Sequence, residues 1–278
     1  MTDLTRSDGL LRGAERLRGP NTVCRMTKGD YMSDPSVLRP RLLYQLVSPL
    51  HRSAGPAEVE RRQQMLANWV PGCDIAIASP EDGPRAVESA ADIAMVFPHL
   101  RQAATCWKAQ GHQAVVIGCF SDPGVEALTE TSGLPVIGPG EAGILAAVQL
   151  GERFSVLSSD PTPPGLRRRI RAIGAEAMFL SEVRVGGSVA ALVADLDRHL
   201  PVIVEQARAC VREGADALVL GCFAMSFAPG LTLRLAEAAG VPVINPVIAG
   251  LRAAEAALLY GAGGARRLTD TLPDRDRA

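Results

Sequence analysis

Between about residue 41 and residue 260, short apolar runs alternate with segments of helical period. The apolar runs are "LLYQLVS" (42–48), "CDIAIAS" (73–79), "AVVIG" (114–118), "LPVIG" (134–138), "FSVLSS" (154–159), "EAMFLS" (176–181), "ALVLG" (217–221) and "VPVIN" (241–245). Most are continuous rather than alternating, the pattern of strands covered on both faces. They predict parallel sheets flanked by helices, an α/β architecture. Three helical segments stand out. Residues 57–68 are charged and polar on one side. Residues 85–110 are amphipathic, and Pro98 predicts a break. Residues 188–213 place Leu192, Val193, Leu196, Leu200 and Ile203 at core-facing spacing, and Pro201 predicts a kink or a split.

The pattern occurs twice. "QAVVIGCF" (113–120) matches "DALVLGCF" (216–223), and "GLPVIGPGEAGILAA" (133–147) matches "GVPVINPVIAGLRAA" (240–254). Each half reads as four β–α units whose third strand ends in Gly-Cys-Phe. The expected organisation is two pseudo-symmetric parallel-sheet α/β domains, 41–138 with 243–262 and 139–242, with a cleft between them. A pseudo-twofold relation would put Cys119 and Cys222 on that one cleft.

The position of these cysteines carries chemistry. In parallel α/β sheets, ligands bind beyond the carboxyl ends of the strands. Both thiols sit at such ends, ahead of helices expected near Pro123 and Pro229. A helix N-terminus favours thiolate and would lower a pKa of about 8.5. Cys24 falls in the N-terminal segment, Cys73 opens a strand, and Cys106 and Cys210 lie on helices; these four read as structural.

Composition narrows the function classes. The 278 residues are 47% hydrophobic and 21% charged, with net charge −1 and 4% aromatics. That balance gives no electrostatic or stacking basis for nucleic acid or an anionic membrane. No apolar run approaches the roughly 18 residues of a membrane span. Six cysteines without Cys-x-x-Cys, and no His pair at helical spacing, predict neither a zinc site nor a disulfide framework, and hence a reducing, cytoplasmic setting. Residues 1–40 lack a sustained period and read as a disordered extension, with Met26 or Met32 as an alternative start. Residues 263–278 read as a flexible tail.

Other signals weigh less. "GPGEAG" (138–143) spells Gly-x-Gly-x-x-Gly between a strand and a helix, with Asp160 after the next strand, which resembles a dinucleotide fingerprint. Pro139 removes an N–H from that loop, however, and at least four strands precede it. Its counterpart "NPVIAG" (245–250) is not glycine-rich. A tight turn into the second half is the better reading. His51, just after the first strand, is a candidate site residue. His99, His112 and His199 read as surface, as does the run Arg167–Arg169.

On these residues the chain resembles the aspartate/glutamate/hydantoin racemase superfamily, its hydantoin and allantoin branch most of all. "GCFSDPG" (118–124) is similar to that branch's first cysteine motif and "GADALVLGCFAM" (214–225) to its second. The layout matches over about 41–258. The resemblance implies two α/β domains with the site between them, and cofactor-independent proton transfer at an acidic carbon of a small-molecule substrate. Cys119 and Cys222 would be the acid/base pair, with backbone groups and the hydroxyls of Ser121 and Ser226 holding the substrate. Ser48, His51, Ser79, Phe120, Ser121, Phe223, Ala224 and Asn245 are the expected substrate contacts. Three positions depart from the branch: Ser48 stands for Asn, Phe223 for a small residue, and Asn245 for Asp. A hydantoin-like cyclic ureide is the expected substrate, and a homo-oligomer without metal or cofactor the expected form. Racemisation of aspartate or glutamate, maleate-type isomerisation and malonate decarboxylation on the same scaffold stay open. So do a non-catalytic ligand-binding regulator and an NAD-linked oxidoreductase.

Overall fold

The computed structural model describes residues 39–159 and 164–261. The expected extension lies outside them through residue 38, as do Asp160 and the whole expected tail over 263–278. The first half runs β1 (Arg41–Leu46), α1 (Leu50–Ser53), α2 (Pro56–Trp69), β2 (Asp74–Ala78), α3 (Ala90–Trp107), β3 (Ala114–Gly118), α4 (Val125–Ser132), β4 (Val136–Ile137) and α5 (Pro139–Leu150). The second runs β5 (Phe154–Ser158), α6 (Leu166–Ala172), β6 (Phe179–Arg184), α7 (Val189–Ala194), α8 (Leu196–Arg212), β7 (Ala217–Leu220), α9 (Phe223–Ser226), α10 (Leu231–Ala239), β8 (Val243–Ile244) and α11 (Pro246–Leu259).

Two four-stranded sheets result, ordered β2-β1-β3-β4 and β6-β5-β7-β8, with every pairing parallel. The halves share more than order. Val116 stands between Tyr44 and Ile137, and Val219 between Val156 and Ile244. The continuous apolar runs are the central strands: the first four residues of β3 and all four of β7 are buried. Each fully buried aliphatic side chain there contributes about 1.5–3 kcal/mol.

Several boundaries differ from the sequence reading, each for a local reason. β4 and β8 shrink to two residues because Pro135 and Pro242 accept from Val115 and Leu218 but have no N–H to donate. β6 starts at Phe179, three residues late: Gly174, at φ 71°, and a turn over Glu176–Met178 occupy the expected start. α3 runs unbroken through Pro98. It begins only at Ala90, where Ser89 and Asp92 form a reciprocal capping box. The segment 188–213 does divide, but at Asp195, whose carboxylate accepts the N–H of Arg198 and caps α8. Pro201 sits within α8.

The two halves exchange helices. α5 follows the first sheet, yet its Ile144 and Ala147 pack in the second core with Phe154 and Val219. α11 follows the second sheet, yet its Val247, Leu251 and Ala254 pack in the first core with Leu42 and Val116. β8 pairs with β7, so Val243 and Ile244 belong to the second sheet. Close approach of the crossing helices accounts for the glycines of "GPGEAG". A Cβ on Gly143 would meet Pro246 at 2.9 Å, and one on Gly250 would meet Pro139 at 3.0 Å. A Cβ on Gly140 would lie 2.0 Å from the Phe120 carbonyl oxygen. The motif is thus the first turn of a helix packed against a neighbouring loop, not a tight turn.

Candidate active site

In each sheet the strand order reverses between its two central members, β1 and β3 or β5 and β7. That reversal opens a crevice at their carboxyl ends. The residues leaving these four strands converge on one cavity of about 860 Å³, which Ser48, Cys119, Ser159 and Cys222 all line. Cys119 comes from the first sheet and Cys222 from the second. Phe120, Ser121, Phe223 and Ala224 line the same cavity.

Four expected contacts are elsewhere. The Nδ1 of His51 lies 3.1 Å from the Ser79 hydroxyl, which in turn sits 3.4 Å from the Ser48 carbonyl oxygen. His51 and Ser79 thus bond to each other and to the residue two after β1, and are not among the residues lining the cavity. Asn245 is a helix cap: its Oδ1 accepts from the N–H of Val247, and its Nδ2 donates to the Ser226 carbonyl at 2.8 Å. The Ser226 hydroxyl is buried and donates to the carbonyl of Cys222. In the structure these polar groups bond to one another and to the backbone of the scaffold.

Both thiols are free and nearly covered, Cys119 being 8% exposed and Cys222 3%. Burial pushes the Cys119 thiol up to about 11. The N–H and hydroxyl of Ser121 and the Arg169 charge oppose this, and the Asp122 carboxylate adds to it. Burial also raises Cys222, against the N–H groups of Ala224 and Met225, the Ser159 hydroxyl and the Arg62 charge. The expected depression by helix ends is thus overturned. The donors are there, but removing a thiolate from water costs more than they return. Each sulfur rests as a thiol at neutral pH, with anion-stabilising groups already aimed at it.

Several residues at or beneath the cavity were not legible in the sequence. Ser159 is the counterpart of Ser48, and the internal repeat was the signal that could have found it. Arg61 and Arg62, in the stretch read only as charged and polar on one side, share Glu58: Arg61 Nε lies 2.6 Å and Arg62 Nε 2.8 Å from its oxygens. Although burial pushes the Glu58 carboxyl up, these two guanidiniums hold it below its ordinary value. Arg169, read as surface, has its side chain largely covered and paired with Asp122. Among the described residues, no three His, Cys, Asp or Glu side chains converge as a metal site would require. None of the described helices is long and apolar enough to cross a membrane.

Comparison with known proteins gives a consistent picture. The pattern of the family described as Asp/Glu/Hydantoin racemase matches residues 54–254. The hydantoin racemase of Rhizobium meliloti is 36% identical over 199 residues, covering 71% of this chain and 80% of that protein. The hydantoin racemase of Paenarthrobacter aurescens is 32% identical over 220 residues, covering 78% and 91%. The crystal structure of allantoin racemase from Pseudomonas fluorescens superposes with a TM-score of 0.72 at 26% identity, covering 86% of this chain and 99% of that one.

Proposed function

Because the chain belongs to the Asp/Glu/hydantoin racemase family, we propose that it interconverts the enantiomers of a 5-substituted hydantoin or a related ureide. Cys119 and Cys222 act as the opposed acid and base. The observation that carries this reading is that both sulfurs line one cavity, delivered by equivalent strands of two equivalent sheets.

The chemistry follows from that placement. One cysteine, as thiolate, takes the hydrogen from the acidic ring carbon. The electron pair left behind spreads onto the adjacent carbonyl oxygen as an enolate. The other cysteine, as thiol, returns a proton to the opposite face. The enzyme then holds its thiolate on the other side, ready for the reverse reaction. The N–H groups of Phe120 and Phe223, directly after the two cysteines, are the donors assigned to the enolate oxygen. A cyclic ureide eases the step because its ring stabilises the enolate. The serines Ser48 and Ser159 stand one at each strand end beside a cysteine and suit the ring's carbonyl and N–H groups.

The test is incubation of purified protein with single enantiomers of a hydantoin panel, allantoin, aspartate and glutamate in D₂O, followed by polarimetry and α-hydrogen exchange. Racemisation with deuterium incorporation confined to the ureides supports the proposal. Exchange on the acidic amino acids alone would replace the substrate class. Racemisation that survives both Cys119→Ala and Cys222→Ala would overturn the two-thiol mechanism.

A further inference from the structure

The loops that carry the two cysteines are each held by the opposite lobe. Phe120, directly after Cys119, leaves the first sheet and packs in the second core with Ile144, Phe154 and Leu166. Phe227, five residues after Cys222, leaves the second sheet and packs in the first core with Tyr44, Leu66 and Val247. A guanidinium covers each ring from the lobe that receives it. Arg169 of α6 lies 5.8 Å from the Phe120 ring centre, and Arg62 of α2 lies 4.5 Å from that of Phe227. α2 lies between the first and second strands of its half and α6 between those of the other, so the two arginines come from corresponding helices.

We propose that Arg62 and Arg169 are a crossed pair of positioning residues, each carried by one lobe and seating the loop of the cysteine that belongs to the other. The assignment rests on the two-cysteine reading above.

The two devices differ in their carboxylate. Arg62 takes Glu58 from its own helix, and Arg61 on the same helix donates to the Phe227 carbonyl at 3.0 Å. Arg169 takes Asp122, which belongs to the Cys119 loop itself. Asp122 adopts a left-handed backbone, φ 48°, unusual for a residue other than glycine. Its oxygens accept the N–H groups of Gly140 and Glu141 at 2.8 and 2.7 Å, so among the described residues these and Arg169 tie it to elements packed in the second core. The consequence for the sulfurs is unequal. Cys222 feels the Arg62 charge, while Cys119 feels the Arg169 charge and the opposing Asp122 carboxylate together. The remaining charged groups on the cavity wall are Glu58, Arg61, Arg85, Asp195, Asp197 and Arg234.

Site-resolved alkylation tests the proposal without needing turnover. The rate of iodoacetamide addition to each cysteine is read peptide by peptide across pH, and the midpoint reports that thiol's ionisation whatever its accessibility. Arg62→Gln is expected to move the Cys222 midpoint up by about half a pH unit or more and to leave Cys119 in place. Arg169→Gln is expected to do the reverse. The lysine variants, which keep the charge, should recover part of each shift. Asp122→Asn keeps the arginine and serves should a glutamine variant not fold; it is expected to lower the Cys119 midpoint alone. Midpoints that move together, or that stay put in every variant, would overturn the proposal, because a merely structural arginine disturbs both loops or neither ionisation. Site-specific shifts in a protein that racemises nothing would leave this inference standing and remove the functional one.

Discussion

Asp122 Oδ2 lies 2.9 Å from Arg169 Nε across the boundary between the two lobes, with only 8% and 10% of the respective side chains exposed. A buried pair contributes little by itself, but removing one partner strands the other charge. Asp122→Ala is therefore expected to destabilise the protein by about 3–5 kcal/mol, measured by denaturant unfolding at neutral pH. The same carboxyl has a pH signature. Burial raises it to about 6, although Arg169 and two backbone N–H groups oppose this. A raised folded value means stability present below the ordinary carboxylate range and lost as pH rises through about 6. The difference in melting temperature between the unchanged protein and Asp122→Asn should change in the variant's favour between pH 4 and pH 7.

Because burial holds both thiols up, Cys119 to about 11, the reactive thiolate is scarce at neutral pH. The proposed racemisation needs one thiolate and one thiol. Its kcat/KM should rise with pH, about tenfold per unit while both sulfurs are protonated. A pH–rate profile from 6 to 10 on a non-titrating hydantoin checks this; a rate independent of pH would contradict it.

Loss of either sulfur should abolish that chemistry without unfolding the chain. Cys119→Ser and Cys222→Ser are nearly isosteric, and positioned acid or base groups contribute about 10²–10⁴-fold. Each is expected to lose at least about a hundredfold in turnover, with circular dichroism and melting close to the unchanged protein.

Gly140 touches the cysteine loop from the opposite lobe. A methyl there would sit 2.0 Å from the Phe120 carbonyl oxygen, which is backbone and cannot swing aside. Gly140→Ala should push the Cys119 loop out of place, costing about 1–3 kcal/mol of stability and most of the activity. Gly133→Ala, where no heavy atom lies within 4 Å of the added carbon, serves as the comparison: its positive φ costs stability, and activity should persist.

Asn245 separates cap from contact. Its side chain holds the start of α11 and the carbonyl of Ser226, away from the cavity wall. Asn245→Ala should cost about 1 kcal/mol or more, seen as a lower melting temperature, with KM little changed. A large rise in KM would restore it as a substrate contact.

Much of this architecture was visible in one dimension. Eight apolar runs became eight strands, and the repeated Gly-Cys-Phe marked the third strand of each half. Hydrophobicity and period are local properties, and a strand covered on both faces reports itself through the residues that compose it. The polar positions were less legible. His51, Ser79 and Asn245 were plausible contacts by their distance from strand ends, yet each spends its hydrogen bonds on the scaffold. Arg169 looked like solvated helix charge and Arg62 was not singled out within its charged helix, because a helix with several arginines reads the same whether one of them is covered or none is.

The succession of strands and helices, the parallel sheets, the duplicated halves and the placement of two cysteines at strand ends were determined by the sequence alone, since burial follows from side-chain chemistry and repetition needs no coordinates. Only the tertiary structure decided that the halves trade helices and aromatic anchors, that Asp122 answers to Arg169, and that the thiols stay protonated. Those outcomes depend on which groups meet across the lobes and how much water they lose. Desolvation and long-range pairing are properties of the packed assembly, with no signature in the order of residues.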